Sequence, residues 1–140
     1  MVDLITNFLT ADIRTATPLL LAALGLVFSE RAGIVNIGTE GIMLIGALLG
    51  CVGASFSGSS LVGALTAIFG GLVMSLIFAF FTITLRSNQI VVGTAFNIFA
   101  GGFTITLNRL LLNGAKVKGY VNLPVPGLSK IPVAGDVLFN

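Results

Sequence analysis

The chain has 140 residues, is 56% hydrophobic and only 9% charged, and has a mean hydropathy of +1.09. A soluble domain carries roughly 25% charged residues, so this composition points to an integral membrane protein. A net charge of +2, a lone Cys51 and no histidine leave no basic nucleic-acid surface, no disulfide framework and no histidine-based acid–base or metal chemistry.

At the N-terminus, residues 1–10 contain Asp3 and no basic residue, so the positive n-region of a cleavable signal is missing. Leu4, Ile5, Phe8 and Leu9 recur at helical spacing between Asp3, Asn7 and Thr10. That pattern suits either a short helix lying in the interface or a solvated tail. A first crossing is expected over 13–28, with Pro18 in its opening turns, where a missing N–H is tolerated. At 1.5 Å per residue it is short for a core of ~30 Å, so it either tilts little or continues into the next stretch. That stretch is a polar, glycine-punctuated insert, Ser29-Glu30-Arg31-Ala32-Gly33-Ile34-Val35-Asn36-Ile37-Gly38-Thr39-Glu40-Gly41, flanked by uncharged runs over 15–29 and 41–85. Polar backbone and ionisable side chains at the edge of a bilayer segment are costly unless they meet protein, water or a passing solute.

A second crossing is expected over 39–54, with Thr39 as N-cap and Glu40 in the first turn, where its charge suits the helix dipole. Residues 55–60 (Ser-Phe-Ser-Gly-Ser-Ser) are turn material. A third crossing covers 61–85, and a fourth covers 90–112 after Arg86-Ser87-Asn88-Gln89. The fold class is therefore an all-α integral membrane protein, a bundle of about four transmembrane helices with a broken, glycine-rich connection between the first two. Gly46, Gly50 and Ala54 repeat every four residues, as do Gly63, Ala67 and Gly71, and such stripes let helix backbones approach closely in lipid. Phe78, Phe80, Phe81, Phe96, Phe99 and Phe103 read as packing and lipid-facing bulk, and Cys51 as a packed thiol.

Residues 113–140 differ. Pro124, Pro126 and Pro132, four glycines (Gly114, Gly119, Gly127 and Gly135), and Lys116, Lys118 and Lys130 make an extramembrane loop that leads towards a next helix. The chain thus reads as a transmembrane region over 1–112 and a loop over 113–140, together the N-terminal part of a longer membrane protein. By the positive-inside rule the three lysines favour a cytoplasmic loop, whereas the opposite orientation puts Arg31 and Arg86 inside. No G-x-x-x-x-G-K-[ST] loop occurs, and Glu30 and Glu40 lie ten residues apart across a break, so an enzyme is not expected.

The run Ala16-Thr17-Pro18-Leu19-Leu20-Leu21-Ala22-Ala23-Leu24-Gly25, then 28–47 with its Ser-Glu-Arg-x-Gly-x-Val-Asn-Ile-Gly-x-Glu-Gly string, resembles ABC-type permease subunits of the nucleoside and simple-sugar branch, which group with branched-chain amino acid and ribose permeases. Ser87-Asn88-Gln89-Ile90-Val91-Val92-Gly93-Thr94-Ala95-Phe96-Asn97 resembles the same branch. The likeness covers the whole chain but only the first half of a typical member, and nothing here resembles the loop that docks on the ATPase subunit.

The resemblance implies a multi-pass protein of the bacterial plasma membrane that forms part of the path of an ATP-driven importer for nucleosides or simple sugars. It implies a second permease subunit, cytoplasmic ATPase subunits and an extracellular substrate-binding lipoprotein as partners, with no cofactor and with ATP hydrolysis on a separate subunit. It also implies that the stretch matching 113–139 faces outside, with Arg31 and Arg86 inside. Asn36, Thr39, Glu40 and Asn97 are the candidate pathway residues, since amides and hydroxyls in a helical bundle can exchange hydrogen bonds with ribose. Glu30, Arg31, Gly33, Gly38 and Gly41 are candidates for structural support of the break, with an ion pair to Arg31 as one way of holding Glu40. Two rival classes are a small structural or regulatory membrane protein and a piece of an ion-coupled transporter. The first has no need of the polar insert, and the second calls for an acid deep within a span.

Overall fold

A computed structural model of the chain describes residues 2–112. Four helices carry it: α1 (Val2–Arg31), α2 (Thr39–Ser57), α3 (Ser60–Ala79, continued by a wide π-helical turn over Phe80–Thr84) and α4 (Gln89–Leu107, continued likewise over Asn108–Leu112). There is no strand among the described residues, and all four helices are long and apolar enough to cross a membrane. The loop expected over 113–140 lies outside the described residues.

The chain divides into two compact units, and the described part of the first is the stretch of α1 up to Gly25. Here the structure departs from the expectation of a separate N-terminal piece, because the helix runs unbroken from Val2 and Pro18 lies in its interior rather than its opening turns. Three threonines on this stretch turn their hydroxyls back onto the helix, Thr10 to the Thr6 carbonyl (2.8 Å), Thr15 to Ala11 (2.9 Å) and Thr17 to Ile13 (2.6 Å). In an apolar medium this hides each hydroxyl on a backbone acceptor, which is why polar residues sit in such a helix without ending it.

The second unit begins at Leu26 and holds the end of α1, the break and the remaining helices. Within it α2 is central, packed along α3 and, on another side, against α4. The α2–α3 seam is built from small residues. A Cβ placed on Gly63 would lie 2.8 Å from both Ala54 Cβ and the Gly50 carbonyl oxygen, so the two backbones meet there directly. Thr66 lies at the seam, its single hydroxyl proton within reach of the Leu49 carbonyl across it (3.0 Å) and of the Val62 (3.0 Å) and Gly63 (2.9 Å) carbonyls on its own helix. Close approach and interhelical hydrogen bonds are what hold helices together where lipid tails remove the hydrophobic driving force.

Ile45, Leu48, Ala54, Phe78, Ala100 and Leu112 are buried, while many Leu, Ile and Phe side chains face outward. Outward apolar side chains of this kind suit a hydrocarbon medium, where exposure to lipid carries no hydrophobic cost. Cys51, expected to be packed, is exposed on α2.

The helix ends explain the lengths. α2 runs three residues past its expected end and closes on Gly58 (φ 65°), whose N–H reaches the Ala54 carbonyl at 2.9 Å. α3 ends in its π-helical turn with Thr82 buried and bonded to the Phe78 carbonyl, and Arg86 then takes a left-handed conformation (φ 50°). Asn88 caps α4, its carboxamide oxygen accepting from the N–H groups of Ile90 (2.9 Å) and Val91 (3.4 Å). At 1.5 Å per residue, 19 residues in α2 span about 28 Å, close to a bilayer core.

Candidate functional site

The break between α1 and α2 is an ordered piece of backbone. α1 ends with Gly33 in the left-handed region (φ 80°), its N–H on the Glu30 carbonyl (2.9 Å) and the Ile34 N–H on the Ser29 carbonyl (3.0 Å). This pair of bonds is the Schellman closure, and a residue with a Cβ would be strained at its centre. Ser29 reinforces the turn, its hydroxyl donating to the Ile34 carbonyl at 2.9 Å. α2 then starts without the expected threonine cap, because Gly38 is the N-cap residue and makes no side-chain bond. Thr39 lies inside the helix and its hydroxyl donates backward to the Asn36 carbonyl (2.9 Å), so it ties the break instead of capping the helix.

Between these ends the segment lies against the first half of α4, and two carboxamides of that helix bind its backbone. Gln89 Oε1 accepts from the Val35 N–H at 2.7 Å and Gln89 Nε2 donates to the Gly33 carbonyl at 3.4 Å. Two turns further on, Asn97 Oδ1 accepts from the Gly41 N–H at 2.8 Å and Asn97 Nδ2 donates to the Ile37 carbonyl at 3.1 Å. The first-turn N–H of Gly41 is one of those an α-helix leaves without an internal partner, so Asn97 supplies from α4 what a cap would otherwise supply.

Contact at this seam is possible only through glycine. A Cβ on Gly93 would stand 2.8 Å from the Gly38 amide nitrogen, and one on Gly41 would stand 2.8 Å from the Phe96 carbonyl oxygen. Phe78 and Phe96 meet edge to face beside it, ring centroids 5.7 Å apart at 87°.

One polar atom in this seam has no partner. Asn36 Oδ1 is buried and accepts no hydrogen bond. It lies 3.4 Å from the position a Gly38 Cβ would take, the same distance as the Phe78 ring edge. A buried acceptor left open costs about 1–3 kcal/mol. An unpaired acceptor beside an aromatic edge and a helix N-terminus can receive one N–H or O–H from a neutral polar solute.

The sequence-predicted residues therefore separate. Asn36, Thr39, Gly38, Gly41 and Asn97 come together at the seam, and Gly33 shapes its entry. Glu30, Arg31 and Glu40 are exposed, and no ion pair joins them among the described residues. The ion pair to Arg31, one way of holding Glu40, is not formed among the described residues. Gln89, Gly93, Ser29 and the capping Asn88 were not singled out from the sequence. Among the described residues no group of His, Cys, Asp and Glu could hold a metal ion.

The helices, the break and the seam bear comparison with known proteins. Residues 8–134 match the family model described as branched-chain amino acid transport system / permease component. The guanosine ABC transporter permease protein NupQ of Bacillus subtilis is 37% identical over 150 aligned residues, covering 100% of this chain and 47% of that protein. The nucleoside ABC transporter permease protein NupC of Lactococcus lactis is 37% identical over 89% of this chain and 42% of its own length. A Haloferax volcanii protein provisionally named a glucose ABC transporter permease is 35% identical over 96% of this chain and 42% of its own. The chain thus spans less than half the length of these relatives, and no solved structure matches it. With four membrane-spanning helices, a family match over nearly its full length and permease subunits as relatives, this multi-pass chain belongs to the branched-chain amino acid transport system / permease component family.

Proposed function

We propose that the chain forms part of the solute path of an ATP-driven importer for nucleosides or simple sugars in a bacterial plasma membrane. It acts with a second permease subunit, cytoplasmic ATPase subunits that hydrolyse the ATP, and a binding lipoprotein that delivers solute from outside. The names of the relatives support the solute class. The observation that carries the reading to a residue is the buried, unpaired Asn36 Oδ1 in a broken helix connection. The connection between two spans lies at the inner end of such a path, and a ribose hydroxyl or base N–H is the donor this atom lacks. Thr39 and Glu40 line the same helix start. Asn97, its carboxamide already engaged at both ends, supports the segment rather than meeting solute. The segment carrying Arg31 and Arg86 faces the cytoplasm in this arrangement.

The test is uptake in cells of the source organism lacking the gene, with labelled guanosine, adenosine and glucose offered in turn. Energy-dependent nucleoside uptake restored by the wild-type gene, and with an Asn36→Ala variant a KM raised about three- to tenfold at equal abundance, is the expected result. Uptake of none of these solutes, or an Asn36→Ala variant with unchanged KM, overturns the assignment.

A further inference from the structure

Gln89 and Asn97 are carboxamides on one helix, and each uses its acceptor and a donor on the backbone of the segment that carries Asn36. Val35 is held on one side of Asn36 and Ile37 on the other, by Gln89 Oε1 at 2.7 Å and Asn97 Nδ2 at 3.1 Å. The Asn36 carbonyl is itself engaged by Thr39 at 2.9 Å. Both flanks of Asn36 are thus bonded and its own carbonyl is occupied, while its buried side-chain oxygen accepts no hydrogen bond. A carboxamide is the side chain suited to this work, because it matches a peptide group's donor and acceptor and carries no charge into an apolar medium. Packing alone would have been served by leucine or methionine at both positions.

We infer that Gln89 and Asn97 are positioning residues, two carboxamide staples by which α4 holds the broken segment so that the Asn36 oxygen stands ready for a solute donor. The staples hold the acceptor fixed before solute arrives, so none of the interaction is spent on ordering the segment at that moment. This rests on the solute path proposed above. It also makes the broken segment and the first half of α4 one body, so that a movement of α4 during the transport cycle carries the acceptor with it.

The experiment uses the complete transporter in the cell membrane and measures uptake of labelled guanosine against concentration, with permease abundance quantified in the same cells. Gln89→Met and Asn97→Leu each remove a staple at nearly constant size, and Gln89→Glu keeps the acceptor while losing the donor. Expected is a KM about three- to tenfold higher for either apolar variant, a smaller rise for Gln89→Glu, and maximal uptake per permease little changed. In an Asn36→Ala background the same substitutions raise KM no further. Loss of maximal uptake in step with abundance at fixed KM would mean that the staples serve stability alone, and a KM rise that persists without Asn36 would mean that they act elsewhere; either overturns the inference. If Asn36→Ala raises KM and Gln89→Met does not, this inference fails while the solute path stands. If Asn36→Ala leaves KM unchanged, both fail. Hydrogen exchange on the wild-type complex is the check that needs no variant. Val35 and Gly41 amides are expected to be protected at least tenfold relative to unbonded amides, and rapid exchange at both also overturns it.

Discussion

The broken segment and α4 approach closely at Gly93, and replacing Gly93 with alanine tests whether that contact organises the seam. The new Cβ would stand 2.8 Å from the Gly38 nitrogen, 3.0 Å from Ile37 Cβ and 3.1 Å from the Ile37 carbonyl carbon. Carbon contacts are favourable at about 3.5–4.0 Å, and none of these neighbours is the movable end of a flexible side chain. The segment must therefore retreat by roughly 0.5 Å, a shift that carries the 2.8 and 3.1 Å bonds to Asn97 to or beyond the ordinary ~3.2 Å limit. Overpacking of this kind costs about 1–3 kcal/mol, set against about 1 kcal/mol gained when alanine replaces glycine inside a helix. Gly101 on the same helix supplies the control, because a Cβ there meets nothing within 4 Å. Gly101→Ala gains the helix term without the clash, so the difference between the two variants isolates the contact at about 1–3 kcal/mol. Thermal unfolding of the purified protein in detergent compares them, with hydrogen exchange at the Gly41 amide as the local readout. A Gly93→Ala protein as stable as Gly101→Ala, with Gly41 equally protected, would refute the reasoning.

Gly63→Ala drives a methyl group to within 2.8 Å of Ala54 Cβ and the Gly50 carbonyl, and is expected to destabilise the α2–α3 seam by about 1–3 kcal/mol in the same unfolding assay. Gly71→Ala on the same helix, where a Cβ meets nothing within 4 Å, is the control, and a Gly63→Ala protein as stable as that variant would mean that the helices do not meet there. Arg86→Gly relieves a left-handed residue at φ 50° and is expected to stabilise the protein by about 1 kcal/mol; a loss of stability would show that the arginine side chain outweighs its backbone strain.

Composition and hydropathy were enough to make this chain a helical membrane protein, because a bilayer core admits few other structures and because charge is absent over 15–29 and 41–85. The break between the first two helices was legible for the same reason, since Gly33 and Gly38 punctuate the longest polar stretch between apolar runs. Its motif was specific enough to point to the permease branch. Helix ends were less legible. The sequence favours Thr39 as a cap, but its hydroxyl found the Asn36 carbonyl instead, a choice between two local partners that only the folded turn decides. The run of α1 through Pro18 was hidden too, because a helix can carry an interior proline when neighbouring groups tolerate the lost bond.

The division of labour among the amides could be decided only by tertiary structure. Asn36, Gln89 and Asn97 are chemically alike in sequence, each a carboxamide in or beside an apolar run. Packing of α4 against the broken segment at Gly38 and Gly93 brings residues more than fifty positions apart within hydrogen-bond reach. That packing satisfies Gln89 and Asn97 on backbone and leaves Asn36 Oδ1 open. Periodicity reports which residues one helix turns to the same side; which amide is spent on backbone depends on how closely a second helix approaches, and here glycine at two distant positions permits that approach.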